Sequence, residues 1–122
     1  MKQGQYLKEV IAEFLLAGRI TEDNAENFLV ELAKEIKVEI TGILHNTLPP
    51  GFDILCSLKE SCLYLGYWPE HNYVRVIVSS CSNFDAQIIS GVIVKYFNIK
   101  NTVRLTVNSD QSIEQKVEEL WG

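Results

Sequence analysis

The chain is poor in the residues from which disulfide frameworks, metal centres and nucleic-acid surfaces are built. Its 122 residues include three cysteines and two histidines, and no two cysteines form a C-x-x-C pair. Cys56, Cys62 and Cys81 therefore suit a reducing cytosol better than a disulfide framework. With only His45 and His71 to join them, they also lack the spacing of a zinc site, and no metal is expected. Eleven Lys and Arg face sixteen Asp and Glu, a net charge of −5. The basic residues, Lys34, Lys37, Arg75, Lys95 and Arg104 among them, are scattered. Phosphate binding needs concentrated positive charge, so no nucleic-acid partner is expected. The early apolar stretch from Val10 to Ala17 is broken by Glu13 and lacks a cleavage site, which argues against a secretory leader. A membrane span would need about 20 apolar residues. These absences leave a cytoplasmic protein without a membrane partner.

What is present is a chain 47% apolar, long enough to bury a sizeable core as a single domain over residues 1–122. A helix is the clearest element. Thr21 can cap it, Glu22 and Asp23 suit its first turn, and Ala25, Phe28, Leu29, Leu32, Ala33 and Ile36 recur at helical spacing. Before it, Tyr6 to Leu16 reads as a strand, although EVIAEFLLA also fits a helix. From Lys37 the period changes to two, giving a strand that ends near Asn46. Leu48-Pro49-Pro50-Gly51 breaks the pattern. Phe52 to Leu58 is a further strand, Lys59-Glu60 a tight reversal, and Ser61 to Trp68 and Tyr73 to Cys81 two arms of a hairpin. Ser82 or Asn83 can cap a second helix bearing Ile88, Ile89, Val92, Ile93, Tyr96 and Phe97. Thr102 to Val107 alternates as a strand, and Ser112 to Trp121 has the capping box and spacing of a short helix. The order predicts an α+β fold, a two-layer sandwich with helices on one face of a mainly antiparallel sheet. No repeat or low-complexity segment is present.

Chemistry concentrates in the hairpin. Centred near His71, it sets Ser61 directly opposite Cys81, a hydroxyl facing a thiol with Cβ atoms roughly 5 Å apart. The simplest register of the preceding pair sets Asp53 opposite Gly66. A buried carboxylate on an apolar strand is costly unless paired, so Asp53 points to a polar pocket. Taken singly, Ser61 is compatible with a turn serine, Trp68-Pro69 with an aromatic anchor, Cys81 with a small core residue and His45 with a satisfied structural histidine.

Together, Leu48-Pro-Pro-Gly51, Glu60-Ser61, Trp68-Pro69-Glu70 and Cys81 resemble the bacterial and archaeal type of S-adenosylmethionine decarboxylase. The likeness is continuous from about His45 to Cys81 and weaker over the flanking helices and the strand around Arg104. The resemblance implies a self-processing enzyme of polyamine (spermidine) biosynthesis. In that family the serine hydroxyl attacks the preceding carbonyl, the peptide becomes an ester, and elimination leaves a pyruvoyl group that serves as electron sink. By the same resemblance, Ser61 becomes the pyruvoyl group after cleavage from Glu60. Cys81 is the proton donor, Glu70 and Trp68 belong to the substrate site, and the protein is a homodimer with sites near the subunit interface. Four positions depart from the pattern. Gly66 and Asp53 replace a histidine and a serine implicated in processing, Cys62 replaces the histidine after the cleavage serine, and Thr47 replaces an aromatic residue. His45 keeps the histidine before the proline turn. Two alternatives follow: a pyruvoyl enzyme acting on another amino acid such as arginine or ornithine, or an unprocessed homologue that binds a ligand or partner without catalysis.

Overall fold

The computed structural model describes residues 8–59, 61–81, 84–109 and 114–118. Its element order is β1 (Lys8–Leu16), α1 (Glu22–Glu35), β2 (Ile40–Leu48), β3 (Gly51–Leu58), β4 (Ser61–Trp68), a 3-10 turn (Pro69–His71), β5 (Tyr73–Ser80), α2 (Ala86–Tyr96), β6 (Ile99–Ser109) and β7 (Glu114–Glu118). The strands form one seven-stranded sheet in the order β2-β3-β4-β5-β1-β6-β7, and every pairing is antiparallel. The architecture is the expected α+β sandwich.

Strand periodicity sets its two faces. Successive side chains point to opposite sides of a sheet, and Val10, Ala12, Phe14, Ile54, Cys56, Leu63, Leu65, Val74, Val76 and Val78 are all buried on the same side. There they meet Ala25, Phe28, Leu29, Leu32 and Ala33 of α1, and Ile89, Val92 and Ile93 of α2. The rings of Phe28 and Phe97 lie 4.9 Å apart where the helices approach. The opposite face carries the other half of each alternation and has no helix over it among the described residues. Leu44 (66% exposed) and Leu55 (41%) stand on it as cross-strand neighbours.

Local chemistry explains the helix ends. The Thr21 hydroxyl accepts from the Asn24 amide at 3.1 Å, as the sequence suggests. At the other end Lys37 adopts φ 62°, its amide reaches the Lys34 carbonyl, and the Val38 amide reaches the Ala33 carbonyl. This is the paired bonding of a Schellman stop. It accounts for the first difference from expectation: Lys37 ends the helix, and β2 begins only at Ile40.

Other elements also differ from their expected bounds. The cap of α2 is Asp85, whose carboxylate accepts from the Gln87 amide at 2.9 Å; Ser82 and Asn83 lie outside the described residues. β2 runs on to Leu48, and β6 starts at Ile99. The expected C-terminal helix is instead a strand over Glu114–Glu118, paired with β6. An isolated short helix is marginal in water, whereas the open edge of β6 offers backbone partners. Ser112, Leu120 and Trp121, which carried the helical reading, lie outside the described residues.

Candidate active site

Register decides which side chains of the β4–β5 hairpin meet. Four residues, Pro69 to Asn72, connect the strands as one 3-10 turn followed by Asn72 in the left-handed region at φ 52°. An even-numbered connection pairs Cys62 with Ser79 and Trp68 with Tyr73. This frame is one residue out from a hairpin centred on His71, so Cys81 is not directly opposite Ser61. A slip of one residue exchanges faces. The Ser61 hydroxyl instead lies 2.8 Å from that of Ser79, and Cys81, half-buried with a free thiol, follows the last residue of β5. Both remain at the open end of the hairpin. Glu60 lies outside the described residues, and Cys62, half-buried, stands beside Ser79.

The β3–β4 pairing matches the sequence expectation: Asp53 is opposite Gly66 and Leu58 opposite Ser61. A row of residues therefore crosses the uncovered face in register, from Asn46 through Asp53, Gly66, Arg75 and Glu13 to Arg104. Glu13 is the best satisfied of its charges. Arg104 Nε donates to its Oε1 at 2.7 Å, and the Tyr73 hydroxyl donates to its Oε2. Burial would raise the Glu13 carboxyl, but these two bonds and the charges of Arg104 and Arg75 outweigh it and hold the group below its usual value. The same contact, added to burial, pushes the Tyr73 phenol up to about 12. Arg75 acts on Glu13 through its charge, and its buried Nε has no hydrogen-bond partner among the described residues.

At the other end of the hairpin lies a small open pocket of about 120 Å³, lined by Leu48, Phe52, Asp53, Tyr67, Trp68 and Glu70. Gly51 completes its wall. A Cβ there would fall 2.4 Å from the Tyr67 carbonyl oxygen, so the close approach of the two strands requires glycine. Gly66 leaves room for neighbouring side chains instead. Its absent Cβ would stand 2.6 Å from the Tyr64 hydroxyl and 2.7 Å from the Trp68 ring, and Tyr64 uses the space to donate to Asp53 Oδ2 at 3.2 Å. Burial first, then the adjacent Asp53, raises the Tyr64 phenol, which keeps its proton.

Not every candidate gathers here. His45 faces α1, not the pocket: its Nδ1 is 2.6 Å from Glu22 Oε2, and its Nε2 is bonded to Glu26. Thr47 donates to Glu22 as well. Cys56 is fully buried, and burial pushes its thiol up to about 11, which removes it as a nucleophile. Trp68 and Glu70 adjoin Asp53 in the pocket, whereas Ser61 and Cys81 lie at the far end of β4. Tyr64, Ser79, Tyr73 and Glu13 were missed by sequence reasoning. Tyr64 carried a usable signal, being two residues from Gly66 and so on its face; Glu13 signalled only as a lone carboxylate in an apolar strand. Among the described residues no group of three or more His, Cys, Asp or Glu could hold a metal ion, and no described helix is long and apolar enough to cross a membrane.

Residues 9–109 match the family described as S-adenosylmethionine decarboxylase. The fold is similar to the crystal structure of the adenosylmethionine decarboxylase from Aquifex aeolicus VF5, with a TM-score of 0.68 over 94% of this chain and 90% of that one, at 19% sequence identity. No match was found among curated protein sequences.

The His45 contacts give a signed pH dependence. Hydrogen bonds to Glu26 and then Glu22 outweigh partial burial and raise the imidazole above its usual value. A raised folded-state value means that the contribution is complete below the unfolded value, about 6.5. It is lost as pH rises through the folded value. Urea unfolding of the wild-type and His45→Gln proteins should therefore show their largest difference near pH 6 and a smaller one by pH 9. A difference that grows with pH would refute the paired imidazolium.

Proposed function

Because this chain belongs to the S-adenosylmethionine decarboxylase family, we propose that it is a pyruvoyl-dependent decarboxylase of S-adenosylmethionine that processes itself at Glu60-Ser61. A role in spermidine synthesis in the cytoplasm is part of the same proposal. The observation that carries it is the match over residues 9–109, within which Ser61 opens β4 directly after the β3–β4 turn. A serine hydroxyl half-exposed at a strand start is a reasonable nucleophile for the peptide bond before it. The residues fit the prosthetic group: Ser61 is its source, and a pyruvoyl carbonyl supplies an electron sink for loss of carbon dioxide.

The chain's own residues divide the remaining work. Ser79, 2.8 Å from the Ser61 hydroxyl, orients that oxygen for attack on the Glu60 carbonyl. Cys81, at the same end of the hairpin, is assigned as the acid that delivers a proton to the substrate carbon after carbon dioxide leaves. Trp68 and Glu70 hold the far end of the substrate, Trp68 by stacking and Glu70 by its carboxylate. Purified protein should release carbon dioxide from S-adenosylmethionine, and Ser61→Ala should abolish release. Cys81→Ala should cut it by about 10²-fold or more, the range for a lost general acid. Release unaffected by Ser61→Ala would exclude the pyruvoyl reading, and a wild-type rate in Cys81→Ala would exclude the thiol as donor.

The dimer is supported by strand length. Ser61 and Trp68 are the first and last of the 8 residues of β4, roughly 23 Å apart at about 3.3 Å per residue. One substrate cannot touch both within a single chain, whereas a second copy turned end for end would bring them together. The uncovered sheet face, with Leu44 and Leu55 exposed on it, is the surface available for that copy. Leu55→Glu should convert a dimer to a monomer in analytical ultracentrifugation and abolish activity. A monomeric wild type with full activity would contradict the shared site.

A further inference from the structure

The fold divides the three thiols between the two faces of the sheet. Cys56 pairs with Leu63, is fully buried under the helices, and has its thiol pushed up to about 11 by burial. The thiolate is the form that attacks a disulfide, so Cys56 is inert toward oxidation. Cys62 and Cys81 are half-buried and unbonded to each other. Cys62 alternates with the buried Leu63, which puts it on the uncovered face, where its partner in register is Ser79. Cys81 follows Ser79 by two residues, so the same alternation carries it to the face of Cys62.

The two thiols are thus diagonal neighbours at the open end of the hairpin. Such neighbours have Cα atoms about 7–8 Å apart, whereas a disulfide takes Cα separations of up to about 6.8 Å. Closing the bond needs a backbone shift of roughly 1 Å, and the strand pairing shows which residue can make it. Cys62 is held on both sides, by pairs with Ser57 and Ser79. Pairing of β5 ends at Ser79 toward β4 and at Ser80 toward β1. Cys81 is the residue just past that paired segment, in the bend where β5 stops. One thiol fixed in the sheet and one on a released strand end, both on the same face, can close with displacement of Cys81 alone.

We propose that Cys62 and Cys81 form a reversible intrachain disulfide that takes the Cys81 proton out of use, so that decarboxylation runs only while this pair is reduced. The proposal rests on the decarboxylase reading, which makes Cys81 the proton donor. The oxidant is a low-molecular-weight disulfide such as oxidised glutathione. One cysteine thiolate attacks it, forming a mixed disulfide and releasing one glutathione. The other cysteine then attacks the protein sulfur of that mixed disulfide and releases the second glutathione. One disulfide is broken and one formed, and two electrons and two protons pass from the protein to glutathione. Cys62 is the resolving thiol.

Peptide mapping by mass spectrometry provides the test. The purified full-length chain is reduced or equilibrated with oxidised glutathione, then alkylated under denaturing conditions and digested. Oxidised wild type should yield peptides joined between Cys62 and Cys81, lighter by two hydrogens than the sum of the separate peptides, with Cys56 alkylated and no bound glutathione. Cys62→Ser should form no such link and should retain glutathione on Cys81, the intermediate left without its resolving thiol. Carbon dioxide release from S-adenosylmethionine by the oxidised wild type should fall about 10²-fold, as on loss of a general acid, and should recover with dithiothreitol. Both thiols still open to alkylation, glutathione retained on wild-type Cys81, a link between two chains, or a linked protein that releases carbon dioxide at the reduced rate each overturns the proposal. Absence of release from the reduced protein overturns the decarboxylase reading and the switch with it, while the peptide map still reads the cysteine pairing by itself.

Discussion

Each side chain of the candidate site owes its position to the antiparallel pairing of β4 between β3 and β5, in which Asp53 faces Gly66 and Gly66 faces Arg75. A strand commits alternate residues to opposite faces. Leu63 and Leu65 are fully buried against the helices, so Tyr64 and Gly66 must point the other way. The polar chemistry of the uncovered face is thus a consequence of the apolar packing of the covered one. Slipping β4 by one residue would carry its leucines out of the core along with the site.

The same constraint separates two centres. Ser61, Ser79 and Cys81 belong to the open end of the hairpin, and Trp68, Glu70 and Asp53 to the closed end. The row of charges that starts beside Asp53 runs on through Arg75 to Glu13, which is bonded to Tyr73 and Arg104. Glu13 is 8% exposed, and a carboxylate so placed is tolerable only because both of its oxygens are occupied. His45 serves a different purpose. By bridging Glu22 and Glu26 it fastens β2, an edge strand with no fully buried residue, to the first turns of α1.

Much of this was legible in the sequence, for identifiable reasons. The period of two in β3 to β5 and the helical spacing from Ala25 to Ile36 reflect burial on one side, so the hydrophobic pattern alone located them. The opposition of Asp53 and Gly66 followed from a two-residue reversal at Lys59-Glu60. The β4–β5 register was misplaced by one because turn geometry at Pro69 to Asn72, not hydrophobic pattern, sets it. Tyr73 and Arg104 as partners of Glu13 were invisible, since they are 60 and 91 residues away in the chain. Residues 114–118 form a strand because β6 offers an edge, a tertiary effect that local propensity does not report.

Asp53 and Gly66, the positions at which the sequence resemblance implies a departure from the family pattern, are directly opposed, and the Tyr64 hydroxyl reaches Asp53 through the space beside Gly66. Under the proposed function, Glu60-Ser61 is the junction at which the chain processes itself and Cys81 is the proton donor. Whether that junction is cut decides between an enzyme and a binding protein, and intact-mass spectrometry of the purified chain under denaturing conditions reads it directly. Two fragments that divide between Glu60 and Ser61, the second blocked at its new amino terminus, are the predicted result. A single species of 13.9 kDa would contradict it.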